Sequence, residues 1–265
     1  MLLRVGIPNP NGGYVRAVRE RGYPIMLSVA GFWNKKKARF RMPGSCLDGL
    51  DIFLDSGGFT ALTVHGGYLW SAEEYVEQVA RGSWSHWSAM DWVCPAAIAN
   101  DDEEIRRRIN ETASGLRCCR VAGDLAGLAM PVPILQGHTP DQYERSAELT
   151  DRVLGGVWPE LVGVGSVCGR AANEVIAIIE RLDQCLPGGV WPHLFGVKSG
   201  ALVAASQYAR VWSSDSTAWN FAARMRCKKE GIPGTVAEYT RDMHAWYLAQ
   251  LQQLERGSPQ LQLDL

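Results

Sequence analysis

The chain has 265 residues, 46% of them apolar and 21% charged, which excludes intrinsic disorder and leaves enough apolar material for a real core. Its 27 Lys and Arg against 28 Asp and Glu give a formal net charge of −1, so contact with nucleic acid would have to come from local basic patches, not bulk charge. Seven cysteines without a Cys-x-x-Cys pair, no apolar leader in residues 1–13, and a most apolar window (153–169) broken by Pro159 and Glu160 point to a reducing cytoplasm, with no membrane span.

In chain order, eight short β-rich runs alternate with segments carrying helix signals. Runs at 2–7, 25–30 and 52–55 are nearly continuous apolar stretches, as expected of parallel strands buried on both faces. Ser71-Ala-Glu-Glu74 is a capping box ahead of a fourth run at 86–91. An acidic first turn at Asp101 leads into Arg106, Arg107 and Arg108, a charge order that suits a helix macrodipole. The fifth run, 132–136, precedes Thr139-Pro-Asp-Gln142, a second capping box with Pro at the first helical position. Runs at 161–167, 193–198 and 211–215 complete the set, with helical patterns at 172–186, 199–209, 218–229 and 235–255.

Eight strands alternating with helices predict an α/β fold, a (β/α)8 TIM-type barrel forming a single domain over residues 1–257, with a loose polar tail at 258–265. An open flavodoxin-like sheet would leave two of the runs unexplained.

In such a barrel, side chains at the C-terminal strand ends and in the loops beyond them build the active site. Here those positions hold Asp55, Asp91, Gln136, Gly165, Lys198 and Asp215. A lone strand-end Asp is more often a helix cap than a catalytic group, but three of them with a Gln at one mouth favour a site. Carboxylates accept hydrogen bonds, while a Gln amide and turn N–H groups donate them. A guanine-like ring offers the complement: N1–H and a 2-amino group as donors, and O6 as acceptor. Asp91 and Asp55 suit the donors, Gln136 and the Gly165 N–H suit O6, and Phe59 and Phe195 lie where they can cover the ring faces. Two carboxylates across a sugar C1′ can also run a double displacement, which the spacing allows without demanding.

These residues carry a resemblance. Asp55-Ser-Gly-Gly-Phe59, Met90-Asp91, Ile134-Leu-Gln-Gly137 with Arg145-Ser-Ala, Val164-Gly-Ser-Val-Cys-Gly169, Pro192-His-Leu-Phe-Gly-Val197 and Asp215 follow one another over roughly residues 50–220. In that order they resemble the base-exchange motifs of tRNA-guanine transglycosylases. The short chain, without RNA-binding additions, is most similar to the DNA 7-deazaguanine transglycosylase (DpdA-like) branch, found in phages and bacterial modification clusters.

The resemblance implies that Asp215 is the nucleophile, attacking C1′ and expelling guanine, and that Asp55 moves protons for the bases. It implies that Asp91 reads N1–H and the 2-amino group, Gln136 reads O6, and Gly165 and Ser166 make main-chain contacts near O6 and the 7-substituent. Phe59 and Phe195 would sandwich the base, with Ser56 beside them. No cofactor is implied.

Departures from the family pattern are equally informative. Its structural zinc needs a Cys-x-Cys-x-x-Cys run and a His beyond the nucleophile, whereas Cys227 is the only cysteine after Asp215, so no metal is expected. Thr60 replaces a Gln, and Ser216-Thr-Ala-Trp219 lacks the usual Pro-Thr-Arg, which bears on tRNA recognition more than on base chemistry. Lys198 replaces a small residue and reads equally as a phosphate contact or a solvated side chain.

Lys35, Lys36, Lys37, Arg39 and Arg41, interleaved with Phe32, Trp33 and Phe40, form a basic, aromatic segment on the active-site side, suited to single-stranded or flipped-out nucleotides. Arg106–Arg108 reads more readily as a solvated helix face, while the cluster Arg224, Arg226, Lys228, Lys229 follows Asp215 on a helix that can point either way. His193 reads as structural, at the start of its strand, and Cys94 and Cys168 as buried, inert thiols. The expected activity is exchange of guanine in DNA for a 7-deazaguanine such as 7-cyano-7-deazaguanine (preQ0), by two inversions through an Asp215–deoxyribosyl intermediate. Exchange on tRNA, a retaining glycoside hydrolase and a non-catalytic 7-deazapurine-binding barrel are the alternatives. Whether a homodimer or an accessory protein takes part is open.

Overall fold

The computed structural model describes residues 1–10 and 12–257; the tail expected at 258–265 lies outside the described residues. All eight apolar runs become strands of one parallel sheet: β1 (Leu2–Ile7), β2 (Ile25–Ser28), β5 (Ile52–Asp55), β6 (His86–Trp87), β7 (Ile134–Leu135), β8 (Leu161–Val164), β9 (Trp191–Leu194) and β10 (Ser213–Ser216). Their order, β6-β5-β2-β1-β10-β9-β8-β7, is that of a curled, TIM-like sheet. Helices join them: α1 (Gly12–Arg21), α2 (Gly58–His65), α3 (Ala72–Ala80), α4 (Asp102–Leu125), α5 (Pro140–Leu154), α6 (Ala172–Cys185), α7 (Ser199–Ala205), α8 (Ala218–Glu230) and α9 (Val236–Gly257).

The ladder does not close into a full cylinder. Between β6 and β7 one parallel bridge, Ser88 to Val132, replaces it, with Ala89 N–H on Val132 O (2.9 Å) and Val132 N–H on Trp87 O (2.8 Å). The runs expected at 86–91 and 132–136 therefore form only two laddered residues each. Pro131 and Pro133 flank Val132, and proline has no N–H to give to a ladder.

Period-two alternation sorts the strand residues. Leu3, Val5, Ile25, Leu27, Ile52, Leu54, Val162, Val164 and Leu194 pack with helix residues such as Val15, Val18, Val76, Tyr143 and Ile179. The opposite parity supplies an inner cluster of Met26, Phe53, Val132, Ile134 and Leu161, with Phe195 against it. Asp55, Gln136, His193 and Asp215 share that parity, so the alternation that buries the apolar positions also turns these polar ones inward.

Both expected capping boxes are present, Ser71 with Glu74 and Thr139 with Gln142. Three elements were not expected: helix α1, helix α2, which follows Asp55 closely, and an antiparallel hairpin of β3 (Trp33–Asn34) and β4 (Arg39–Phe40). Among the described residues no helix is long and apolar enough to cross a membrane, and all seven cysteines are free.

Candidate active site

The strand ends place the acidic groups at one rim. Asp55 is the last residue of β5, Asp215 the third of β10, Gln136 follows β7 and Asp91 lies four residues beyond β6. They are close enough that the charges of Asp91 and Asp215 both act on Asp55.

Asp91 and Gln136 form the centre. Gln136 Nε2 donates to Asp91 Oδ2 at 2.5 Å, and Gln136 Oε1 accepts from Ser166 Oγ at 2.6 Å. Ser56 Oγ donates to Asp91 Oδ1 at 2.8 Å. Gln136 is fully buried and Asp91 6% exposed, so each needs the other; an unpaired buried amide or carboxylate would be costly. Glycines make room: a Cβ on Gly58 would lie 2.5 Å from Asp91 Oδ1, and one on Gly165 would lie 2.2 Å from Gln136 Nε2. Ser166 holds a left-handed φ of +57°, uncommon for a side-chain-bearing residue, while its Oγ also accepts from Cys94 N (2.7 Å).

Tyr68 was not singled out from sequence. Its hydroxyl donates to Asp91 O (2.9 Å), accepts from Asp91 N (3.1 Å) and lies 3.0 Å from Ser56 Oγ, which fixes the Asp91 backbone. Burial holds its phenol well above the usual range, so it remains a neutral hydroxyl. Only reach from helix α2 and the loop beyond it brings Tyr68 here, and no local motif signals that.

Burial, reinforced by the charge of Asp91, pushes the Asp55 carboxyl up to about 7, although Gly57 N–H donates to its Oδ2 at 3.0 Å. Burial also raises Asp91, against the hydrogen bonds from Ser56 and Gln136. Two neighbouring buried carboxyls, Asp55 and Asp91, cannot both be ionised cheaply, and a carboxyl raised to about 7 can take up or release a proton near neutral pH.

Asp215 is held differently. Gly196 N–H donates to its Oδ1 at 3.0 Å, and His193 Nε2 stands 3.4 Å from the same oxygen. The sequence put His193 at the far end of its strand; because β9 begins two residues earlier, at Trp191, His193 sits higher, facing inward beside Asp215. Burial lowers its pKa against the pull of Asp215.

Other expected residues distribute unevenly. The Gly165 N–H, expected to face a base O6, is given to Leu135 O (2.9 Å) within the sheet, and Tyr143 Oη donates to Gly165 O (2.6 Å); its role here is the absence of a side chain. Phe59 is 63% exposed on the first turn of α2, whereas Phe195 is half-buried, against Phe53 and His193 with ring centroids 5.8 and 4.7 Å away. No ring contact joins the two among the described residues. Lys198 is exposed at the start of α7, its Nζ donating to Gly169 O (3.3 Å).

Cys94 is buried, its thiol pushed up to about 12. Cys168, expected to be buried, is exposed. Lys35, Lys36 and Lys37 are exposed in the hairpin turn and Arg39 is exposed on β4. Arg41 is committed to the backbone, with Nη2 on Gly31 O (2.5 Å) and Nε on Phe32 O (3.4 Å). Arg107 and Arg108 are paired with Glu104. The family zinc does not fit these residues: Cys227 is buried in α8 with Arg226 on its Sγ (3.7 Å), and no three candidate ligands cluster among the described residues.

Residues 17–263 match the family model described as DpdA, DeoxyPurine in DNA protein A. The chain belongs to this family, which agrees with the branch its motifs resemble. A search of curated proteins finds no match.

Proposed function

We propose that the protein is a DNA-guanine transglycosylase that replaces guanine with a 7-deazaguanine of the preQ0 type, residues 1–257 working as one barrel domain in the cytoplasm. The observation carrying this reading is the rim itself: an inward Asp215, an Asp55 poised near neutrality and a hydrogen-bonded Asp91–Gln136 pair. Asp215 attacks C1′ of a flipped-out deoxyguanosine; the C1′–O bond forms, the C1′–N9 bond breaks, and its electron pair leaves with guanine, which takes a proton from Asp55. The incoming base then gives its N9 proton to Asp55 and attacks C1′, and the electron pair of the ester bond returns to Asp215. Guanine and a 7-deazaguanine share one Watson–Crick edge, so Asp91 and Gln136 serve both. Phe59 and Phe195 cover the ring faces, Ser56 and Ser166 orient the readers, and Lys198 with Lys35, Lys36, Lys37 and Arg39 contacts the DNA backbone.

The test is mass spectrometry of nucleosides from DNA incubated with the purified protein and preQ0. A 7-deazaguanine nucleoside should appear, and should be lost in Asp215→Ala with the melting curve preserved. Exchange into tRNA but not DNA, guanine released over many turnovers without an incoming base, or unchanged exchange by Asp215→Ala would each overturn the reading.

A further inference from the structure

His193 is a polar ring in an apolar layer. It is fully buried, with ring centroids of Phe53 and Phe195 at 4.9 and 4.7 Å. A leucine or phenylalanine would fill this place without desolvating two nitrogens. Its Nδ1 has a partner, Ser213 Oγ at 2.7 Å. Its Nε2 makes no aligned hydrogen bond among the described residues, yet it stands 3.4 Å from Asp215 Oδ1.

The tautomer follows from these neighbours. Were Nδ1 to carry the proton, the bare lone pair of Nε2 would face a carboxylate oxygen, an unfavourable contact. With the Ser213 hydroxyl donating to Nδ1, the proton sits on Nε2, the ring nitrogen nearest Oδ1. Gly196 N–H already donates to Oδ1. Asp215 Oδ2, by contrast, receives no hydrogen bond among the described residues.

We propose that His193 is the positioning residue of the nucleophile, its Nε2–H joining Gly196 N–H on Asp215 Oδ1 so that Oδ2 is the oxygen that attacks C1′. This rests on the transglycosylase reading of the site. In the first half-reaction the Oδ2–C1′ bond forms as C1′–N9 breaks, and Oδ1 becomes the carbonyl oxygen of the ester. During the second half, Oδ2–C1′ breaks, its electron pair returns to the carboxylate, and the two donors on Oδ1 stabilise the charge as it develops. His193 therefore acts most strongly on breakdown of the intermediate.

His193→Phe keeps a ring among Phe53 and Phe195 and removes the donor; His193→Gln keeps a donor and guards against a folding failure. In His193→Phe, kcat for exchange should fall about 100-fold, typical of losing one donor to a developing charge. The KM for preQ0 should stay near wild type, with the Asp215 adduct accumulating in single-turnover digests. His193→Gln should recover part of the rate, and Ser213→Ala, which frees the tautomer, should show a smaller loss. Unchanged kcat and adduct level in folded His193→Phe, or a loss confined to KM, would overturn the assignment. The histidine tautomer read by 15N NMR separates the two readings. An Nε2–H His193 in a protein that exchanges no base would sink the reaction and leave the positioning; an active enzyme with Nδ1–H would sink the positioning alone.

Discussion

Gln136 and Asp91 meet across 2.5 Å at the rim of the sheet, amide nitrogen to carboxylate oxygen, and each is the other's principal buried partner. In the proposed function, this donor and acceptor are the groups that a guanine edge would meet.

Gly165 is what lets that pair form. A Cβ there would stand 2.2 Å from Gln136 Nε2 and 2.7 Å from its Cδ. Gly165→Ala should displace the Gln136 amide and weaken preQ0 binding by about 10- to 100-fold, the cost of one to two lost buried hydrogen bonds. Calorimetric titration with preQ0 measures it. Unchanged affinity would show that Gln136 does not read the base.

Asp55, raised to about 7, gives opposite pH limbs to the two half-reactions. Single-turnover guanine release, which needs the protonated acid, should fall as pH rises through about 7. Uptake of the incoming base, which needs the carboxylate, should fall as pH drops below it. Stability follows the same shift. The folded protein holds this proton more tightly than the unfolded chain, so the contribution is fully present below the ordinary carboxylate range and is lost as pH rises through about 7. Asp55→Asn should melt above wild type in mildly alkaline buffer, by about 2–4 °C per kcal/mol relieved, with the difference closing in acid. Equal melting temperatures at every pH would show that Asp55 is not raised.

Lys35, Lys36 and Lys37 stand exposed on a turn whose strands are pinned by Trp33, Phe40 and Trp70, the three rings within 5.3 Å of one another, centroid to centroid. Replacing all three lysines with Glu should weaken DNA binding and flatten its salt dependence, by up to about two to three in log–log slope. preQ0 affinity should not change. A salt titration in which the slope is unaltered would remove the hairpin from the DNA path.

Arg4, 3% exposed at its side chain, pairs with Asp51 at 2.8 Å, and its Nε has no partner among the described residues. Asp51→Ala leaves that charge uncompensated. Because Asp51 is 46% exposed, the loss should fall below the roughly 3–5 kcal/mol of a fully buried pair, read as a lower denaturation midpoint with the exchange rate little changed.

The strands and strand-end acids were legible because they obey short-range rules: apolar runs of strand length, and a polar residue where each run stops. Contacts set by pairing were not. His193 was misplaced because its strand starts at Trp191, and only the parity it shares with Asp215 across β9 and β10 would have turned it inward. Tyr68 reaches Asp91 over 23 residues, with no pattern to announce it. The hairpin was hidden because the Lys35–Lys37 turn reads equally as a solvated charge run.

The single bridge at Ser88 and Val132 has a mechanical consequence. Asp91 belongs to one lip of that seam and Gln136 to the other, so their side-chain clasp crosses the join that the backbone stitches least. A purine bound as proposed would exchange that direct clasp for contacts from both lips, tying the same join through the ligand. Backbone amide exchange at Ala89 and Val132 should quicken when the clasp is cut and slow when a base re-ties it.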